Sequence, residues 1–175
     1  IIGGSSTPVI LRGQGFNTII KMAAAYNSYG IQAGTGSGAG EYVWNTIQNL
    51  QVDLSVAGDA ATGIYKKSCR HFTMNNIYVY GKGTGTQVGY LAGNGTHGQY
   101  HNIKITNVTI CLHMVNPVNE EAHDALYNGL WLAPGTAANS KCIKSSGGLS
   151  TGTTFVNPYF ESLDTNVDVI DVGAD

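Results

Sequence analysis

Three of the chain's eleven acidic residues fall within five positions, in the run Asn119-Glu120-Glu121-Ala122-His123-Asp124. Hydrolysis of a glycosidic bond needs two carboxyl groups about 5–10 Å apart, on opposite sides of that bond. Glu120 or Glu121 with Asp124 can supply one such partner, and His123 can give or take a proton beside them. The same run also reads as a capped helical turn, with Asn119 as the cap and the acids solvated. Trp131 is the second candidate. In Gly129-Leu130-Trp131-Leu132 a period-two alternation turns both leucines inward and the indole outward. An exposed indole among polar groups suits the C–H face of a sugar, while nearby amides bond its hydroxyls. The other reading of Trp131 is a ring packed beneath a loop of its own chain.

Other patterns fail on context. Gly93-Asn94-Gly95-Thr96-His97-Gly98 fits the dinucleotide fingerprint, yet residues 103–110 alternate as a strand, so no helix follows to receive a pyrophosphate. His97 and His101 have the spacing of a helical zinc pair but straddle a turn and a strand, so neither a metal nor a cofactor is called for. Cys69, Cys111 and Cys142 are an odd set without a Cys-x-x-Cys pair, and read as small buried apolar residues. Nine basic and eleven acidic residues leave a net charge of −2, and no basic cluster extends beyond Lys66, Lys67 and Arg70. That excludes a phosphate-backbone footprint and hence nucleic acid. No apolar run is long enough for a membrane helix.

The elements that must carry these residues are strands. Of the 175 residues, 24 are glycine and 11% are charged, but 42% are apolar and ten are tyrosine, so a core can form. Apolar residues alternate in short runs separated by Gly, Asn, Ser and Thr. Helical signals are confined to residues 18–26 and 119–127. Four segments share the form apolar-x-Asn-apolar-x-apolar: Ile47-Gln48-Asn49-Leu50-Gln51-Val52, Met74-Asn75-Asn76-Ile77-Tyr78-Val79, Ile105-Thr106-Asn107-Val108-Thr109-Ile110 and Phe155-Val156-Asn157-Pro158-Tyr159-Phe160. A Gly-apolar strand precedes each, at Gly30-Ile31, Gly63-Ile64, Gly89-Tyr90 and Gly129-Leu130. A strand-only repeat of this length describes a solenoid. Asn49, Asn76, Asn107 and Asn157 would form a ladder at its corners, since Asn tolerates the left-handed conformation and its amide both donates and accepts.

Uneven spacing places two insertions, residues 112–127 and 133–150, on either side of the strand that carries Trp131. They would wall a groove with Trp131 on its floor, and the same count turns Gln32, Tyr65 and Asp168 outward on neighbouring coils as further carbohydrate-binding candidates.

Two stretches carry a family resemblance. Pro8-Val9-Ile10-Leu11-Arg12-Gly13-Gln14-Gly15-Phe16-Asn17-Thr18-Ile19-Ile20 resembles an early coil of the pectate-lyase-like right-handed β-helix superfamily, closest to its phage tailspike and polysaccharide-depolymerase branch. Thr154-Phe155-Val156-Asn157-Pro158-Tyr159-Phe160-Glu161-Ser162 is similar to a late-coil motif of that branch, where the glutamate matching Glu161 is structural. The catalytic motifs of polygalacturonase-like hydrolases and pectate lyases have no counterpart here. The expectation is an all-β, right-handed parallel β-helix of five to six coils spanning residues 1–175 as one domain, a segment of a longer chain, with room for one short helix in an insertion. The resemblance implies a virion tailspike or receptor-binding domain that engages a cell-surface polysaccharide outside the cell or on a virion. It further implies a homotrimer, or neighbouring chains that cap the solenoid ends. An active polysaccharide hydrolase or lyase, and a purely structural fibre segment, stay open beside it.

Overall fold

The computed structural model describes residues 8–34, 44–94, 97–115, 125–146, 152–161 and 168–173. Every regular element among them is a strand: β1 (Val9–Arg12), β2 (Ile19–Lys21), β3 (Tyr29–Ala33), β4 (Asn45–Asp53), β5 (Thr62–Ser68), β6 (Phe72–Tyr80), β7 (Val88–Asn94), β8 (Gln99–Thr106), β9 (Ile110–Val115), β10 (Leu126–Ala133), β11 (Lys141–Ser146), β12 (Thr154–Val156), β13 (Tyr159–Phe160) and β14 (Asp168–Gly173). The chain passes back and forth between two sheets, and all pairings are parallel. The eight-stranded sheet runs β1-β4-β6-β8-β10-β12, with β2 also on β4 and β13 also on β10; the six-stranded sheet runs β14-β11-β9-β7-β5-β3. The result is a parallel β-solenoid of about four turns, against the five to six coils expected. The complete turns are β4–β5, β6–β7, β8–β9 and β10–β11, and the strand of the eight-stranded sheet is broken in two on either side of them. Residues 18–26, read as a possible helix, instead hold β2, whose Ile19 and Ile20 pair with Gln51 and Val52.

Matching residues of successive turns stack into columns, and the inward columns make the core. Ile47, Met74, Tyr100 and Tyr127 form one, Val52, Val79, Ile105 and Leu132 a second, and Ile31, Ile64, Tyr90, Leu112 and Ile143 face them from the other sheet, all buried. At about 25 cal/mol per Å² of apolar surface removed from water, such columns are the main source of stability. The Gly-apolar motif has a packing cause. A Cβ on Gly30 or Gly63 would come within 2.9 Å of Val52 Cγ1 or 2.6 Å of Val79 Cγ1, and one on Gly89 would strike Ile105 Cγ2. In the next two turns the same column carries Cys111 and Cys142, whose thiols lie 3.7 and 3.8 Å from the Ile105 and Leu132 carbonyl oxygens. All three cysteines are buried thiols outside any disulfide.

Of the expected ladder of Asn49, Asn76, Asn107 and Asn157, the described residues show the Asn49–Asn76 link alone. The register places Asn49, Asn76, Asn102, Gly129 and Asn157 in one corner column, and all five have left-handed φ, between 50° and 71°. Asn76 Nδ2 donates to Asn49 Oδ1 at 2.9 Å, and Asn102 Nδ2 donates to Asn76 Oδ1 at 3.1 Å. Gly129 brings no amide, so this file of side chains stops before Asn157. Asn107 stands at a different corner, where its Nδ2 donates to the Gly81 carbonyl at 2.9 Å.

The core also holds polar groups. Lys66 lies between Ala33 and Ala92 in an inward column and is only 3% exposed. The small alanine side chains leave room for its stem. Burial pushes its amine down to about 8, a shift that neighbouring Cys69 partly opposes. Asn45 Nδ2 donates to Cys69 Sγ at 3.4 Å, and Tyr90 Oη donates to Tyr100 Oη at 2.8 Å. The Tyr100 and Tyr127 rings stack at 4.4 Å. Burial raises all three tyrosine hydroxyls above their ordinary range.

Candidate functional site

The outward column of the eight-stranded sheet reads Ile19, Gln51, Tyr78, Lys104, Trp131 and Tyr159. Leu130 and Leu132 point into the core, as alternation requires, and Trp131 is 39% exposed. Three neighbours hold its ring. The Lys104 ammonium sits 3.7 Å over the ring centroid, the indole N–H donates to Glu161 Oε2 at 3.2 Å, and Tyr159 meets the ring edge-on at 5.3 Å. Lys104 lies 5.4 Å from the Tyr78 ring as well, and the Tyr78 hydroxyl is bonded to Thr106 Oγ1 at 3.0 Å. Together Tyr78, Lys104, Thr106, Asn107, Trp131 and Glu161 line an open depression of about 380 Å³. It offers a flat apolar surface, a cation, a carboxylate and hydroxyl and amide groups within one concavity, the mixture that holds a polar ligand in a fixed orientation.

The structure separates residues that the sequence reading grouped. Gln32 and Tyr65 are register partners on β3 and β5 of the six-stranded sheet, not neighbours of Trp131. There Gln32 Nε2 donates to the Gly34 carbonyl at 2.9 Å, and Tyr65 packs on Tyr29 with ring centroids 4.7 Å apart. Burial, then Tyr29, raises the Tyr65 hydroxyl. Asp168 begins β14 opposite Lys141 in that same sheet. The cause is that Gly129-Leu130-Trp131-Leu132 does not belong with the strands of Gly30, Gly63 and Gly89 in the six-stranded sheet: β10 pairs with β8, and Gly129 occupies the asparagine corner. The expected walls change with it. Residues 134–140 are a short connection and Lys141–Ser146 is β11, so this part of the second insertion is ordinary solenoid. Leu112 belongs to β9, while Glu120, Glu121, His123 and Asp124 lie outside the described residues.

Lys104, Tyr78 and Tyr159 were not singled out by sequence, and Glu161 entered only as a structural residue. A signal for them exists: positions 78, 104, 131 and 159 recur at the 26–28-residue period of the corner column.

A second aromatic cluster stands at another corner of the same sheet. Trp44, 62% exposed, stacks on His71 at 4.1 Å with planes 7° apart, and His71 stacks on His97 at 4.9 Å. Burial first, then His97 and Arg70, lower the His71 imidazole. His101 is in a different column, level with Asn75 and Asn128, so the four-residue spacing of His97 and His101 has no common face.

Comparison with family models, with curated proteins and with solved structures gives no match to this chain.

Proposed function

We propose that the outer face of the eight-stranded sheet binds a polysaccharide, with Trp131 as the platform. The observation that carries this reading is an exposed indole at the floor of a depression edged by Lys104, Glu161, Tyr78 and Thr106. The resemblance of the coils around Ile10 and Phe155 to the tailspike branch of the pectate-lyase-like β-helices agrees with it, and suggests a cell-surface glycan met outside the cell or from a virion. Binding has an internal competitor. A sugar stacking on the indole displaces the Lys104 ammonium from the ring, which costs about 0.5–1 kcal/mol at an exposed site. The flexible lysine stem lets that ammonium turn to a sugar hydroxyl or carboxylate instead, and this recovers part of the cost.

The test is equilibrium binding across a polysaccharide panel, with wild type beside Trp131→Ala. Burying roughly 60 Å² of apolar contact at ~25 cal/mol per Å² is worth about 1.5 kcal/mol. The expected loss is therefore about tenfold in affinity with the melting temperature nearly unchanged. Unchanged affinity in the variant, or no glycan bound by wild type, overturns the reading.

A further inference from the structure

The outer face of the six-stranded sheet holds a group that the glycan reading does not use. Alternation in β9 and β11 buries Leu112, Met114, Ile143 and Ser145 and turns His113, Val115, Lys144 and Ser146 outward, each half-buried. Register sets His113 beside Lys144 and Val115 beside Ser146. His113 leans across the diagonal of this square, and its Nε2 stands 3.0 Å from Ser146 Oγ. That is the reach a base needs to take a hydroxyl proton. With the ring's own proton on Nδ1, Nε2 accepts the hydrogen bond from Ser146.

A cation stands beside the pair. Lys144 precedes Ser146 by two residues, so its side chain leaves the same face roughly 6.6 Å away along the strand, a gap that a lysine stem spans. Its register partner on β14 is Asp171, whose carboxylate is paired with Lys141 at 3.3 Å. No carboxylate among the described residues pairs with Lys144. Apolar side chains border the group: Val115 next to Ser146, and Leu91 next to His113, with Tyr65 one turn beyond.

We infer that Ser146, His113 and Lys144 form a hydrolytic site for short-chain carboxylic esters. Ser146 Oγ attacks the ester carbonyl carbon while its proton passes to His113 Nε2. The carbonyl's π pair moves onto oxygen, where the Lys144 ammonium faces the new charge. The bond to the leaving oxygen then breaks, the departing alkoxide takes the proton from His113, and the acyl group stays on Ser146. Water repeats the sequence. It gives a proton to His113 and attacks the acyl carbon, and Ser146 leaves with that proton as the carboxylic acid is released. Val115 seats the acyl group, and a shallow sheet face suits one as small as acetyl. The site lies on the sheet that does not carry Trp131, so it stands or falls independently of glycan binding.

Hydrolysis of p-nitrophenyl acetate by the 175-residue chain tests this. Wild type should release p-nitrophenolate in a burst and then at a slower steady rate, and peptide mapping should find the acetyl group on Ser146. Ser146→Ala and His113→Gln should each slow release about a hundredfold or more, with wild-type melting curves. Lys144→Met should lower kcat and leave KM near the wild-type value, the mark of a contact made in the transition state. A fluorophosphonate, which phosphonylates an activated serine with loss of fluoride, needs no variant and should label Ser146 in wild type. No hydrolysis by wild type, acetyl or phosphonate on a residue other than Ser146, or wild-type rates in Ser146→Ala or His113→Gln would each overturn the proposal.

Discussion

The two sheets share one core but carry opposite burdens. The six-stranded sheet gives up volume: Gly30, Gly63 and Gly89 sit where any side chain would meet Val52, Val79 and Ile105 of the other sheet. It also sends Lys66 into the core. The eight-stranded sheet alternates in and out on either side of its asparagine corner and fills the interior with large apolar and aromatic residues, while its outer face carries Tyr78, Lys104, Trp131 and Tyr159 in one line. One sheet is shaped by what lies beneath it, and the other is free to vary what lies above it. The exposed aromatic platform therefore sits where the interior is easiest to satisfy.

Removing the buried charge should have the largest effect on this contrast. Lys66 titrates near 8 in the folded chain and near 10.5 when unfolded. Below pH 8 both states hold the proton and folding bears the full cost of burying an ammonium. Between pH 8 and 10.5 only the unfolded chain still holds it, so stability rises with pH, by about 3 kcal/mol in all. Above pH 10 the unfolded chain ionises Tyr90, Tyr100 and Tyr127 while the folded chain keeps them protonated, so stability falls again. Urea midpoints should thus peak near pH 10, and Lys66→Met should abolish the rising limb; a flat profile in wild type would remove Lys66 from the core.

Next in size is the volume that one sheet cedes to the other. Gly89→Ala should destabilise by about 2 kcal/mol through overpacking against Ile105 Cγ2, and combined with Ile105→Ala, which removes that methyl group, the loss should be smaller than the sum of the two single losses. Purely additive losses would show that the two sheets do not meet at that point. Smallest is the binding contrast. Tyr65→Ala on the six-stranded sheet should change glycan affinity less than about twofold, where Trp131→Ala costs about tenfold. Equal losses at both positions would dissolve the distinction between the two outer faces.

Period-two alternation, strand-only architecture and the outward side of Trp131 were legible because each depends on local pattern alone. The error lay in phase. Tyr100-His101-Asn102-Ile103-Lys104-Ile105 and Ile105-Thr106-Asn107-Val108-Thr109-Ile110 fit the same motif, and local sequence does not choose between them. Even spacing does: Asn49, Asn76, Asn102, Gly129 and Asn157 lie 27, 26, 27 and 28 residues apart. Choosing Asn107 moved Trp131 to the other sheet and gave it Gln32, Tyr65 and Asp168 as companions. Lys104 and Glu161 reach the indole from neighbouring turns, a relation that exists only once the register is fixed. Gly129 hid the phase further, because it fills an asparagine's place for a different reason: glycine adopts positive φ without needing a side chain.

That glycine has a mechanical consequence. Amides stitch the corners of three successive turns through Asn49, Asn76 and Asn102, each link worth roughly 1 kcal/mol. The stitching lapses between the turn of β8 and the turn of β10. Under a load along its axis, as a fibre tethered at one end and pulled at the other would feel, the rod has a designated seam at that step. Lys104 and Trp131 face each other across the same step, so a ligand that bridged them would act as a clasp on it, and tension would be felt first at the depression they line.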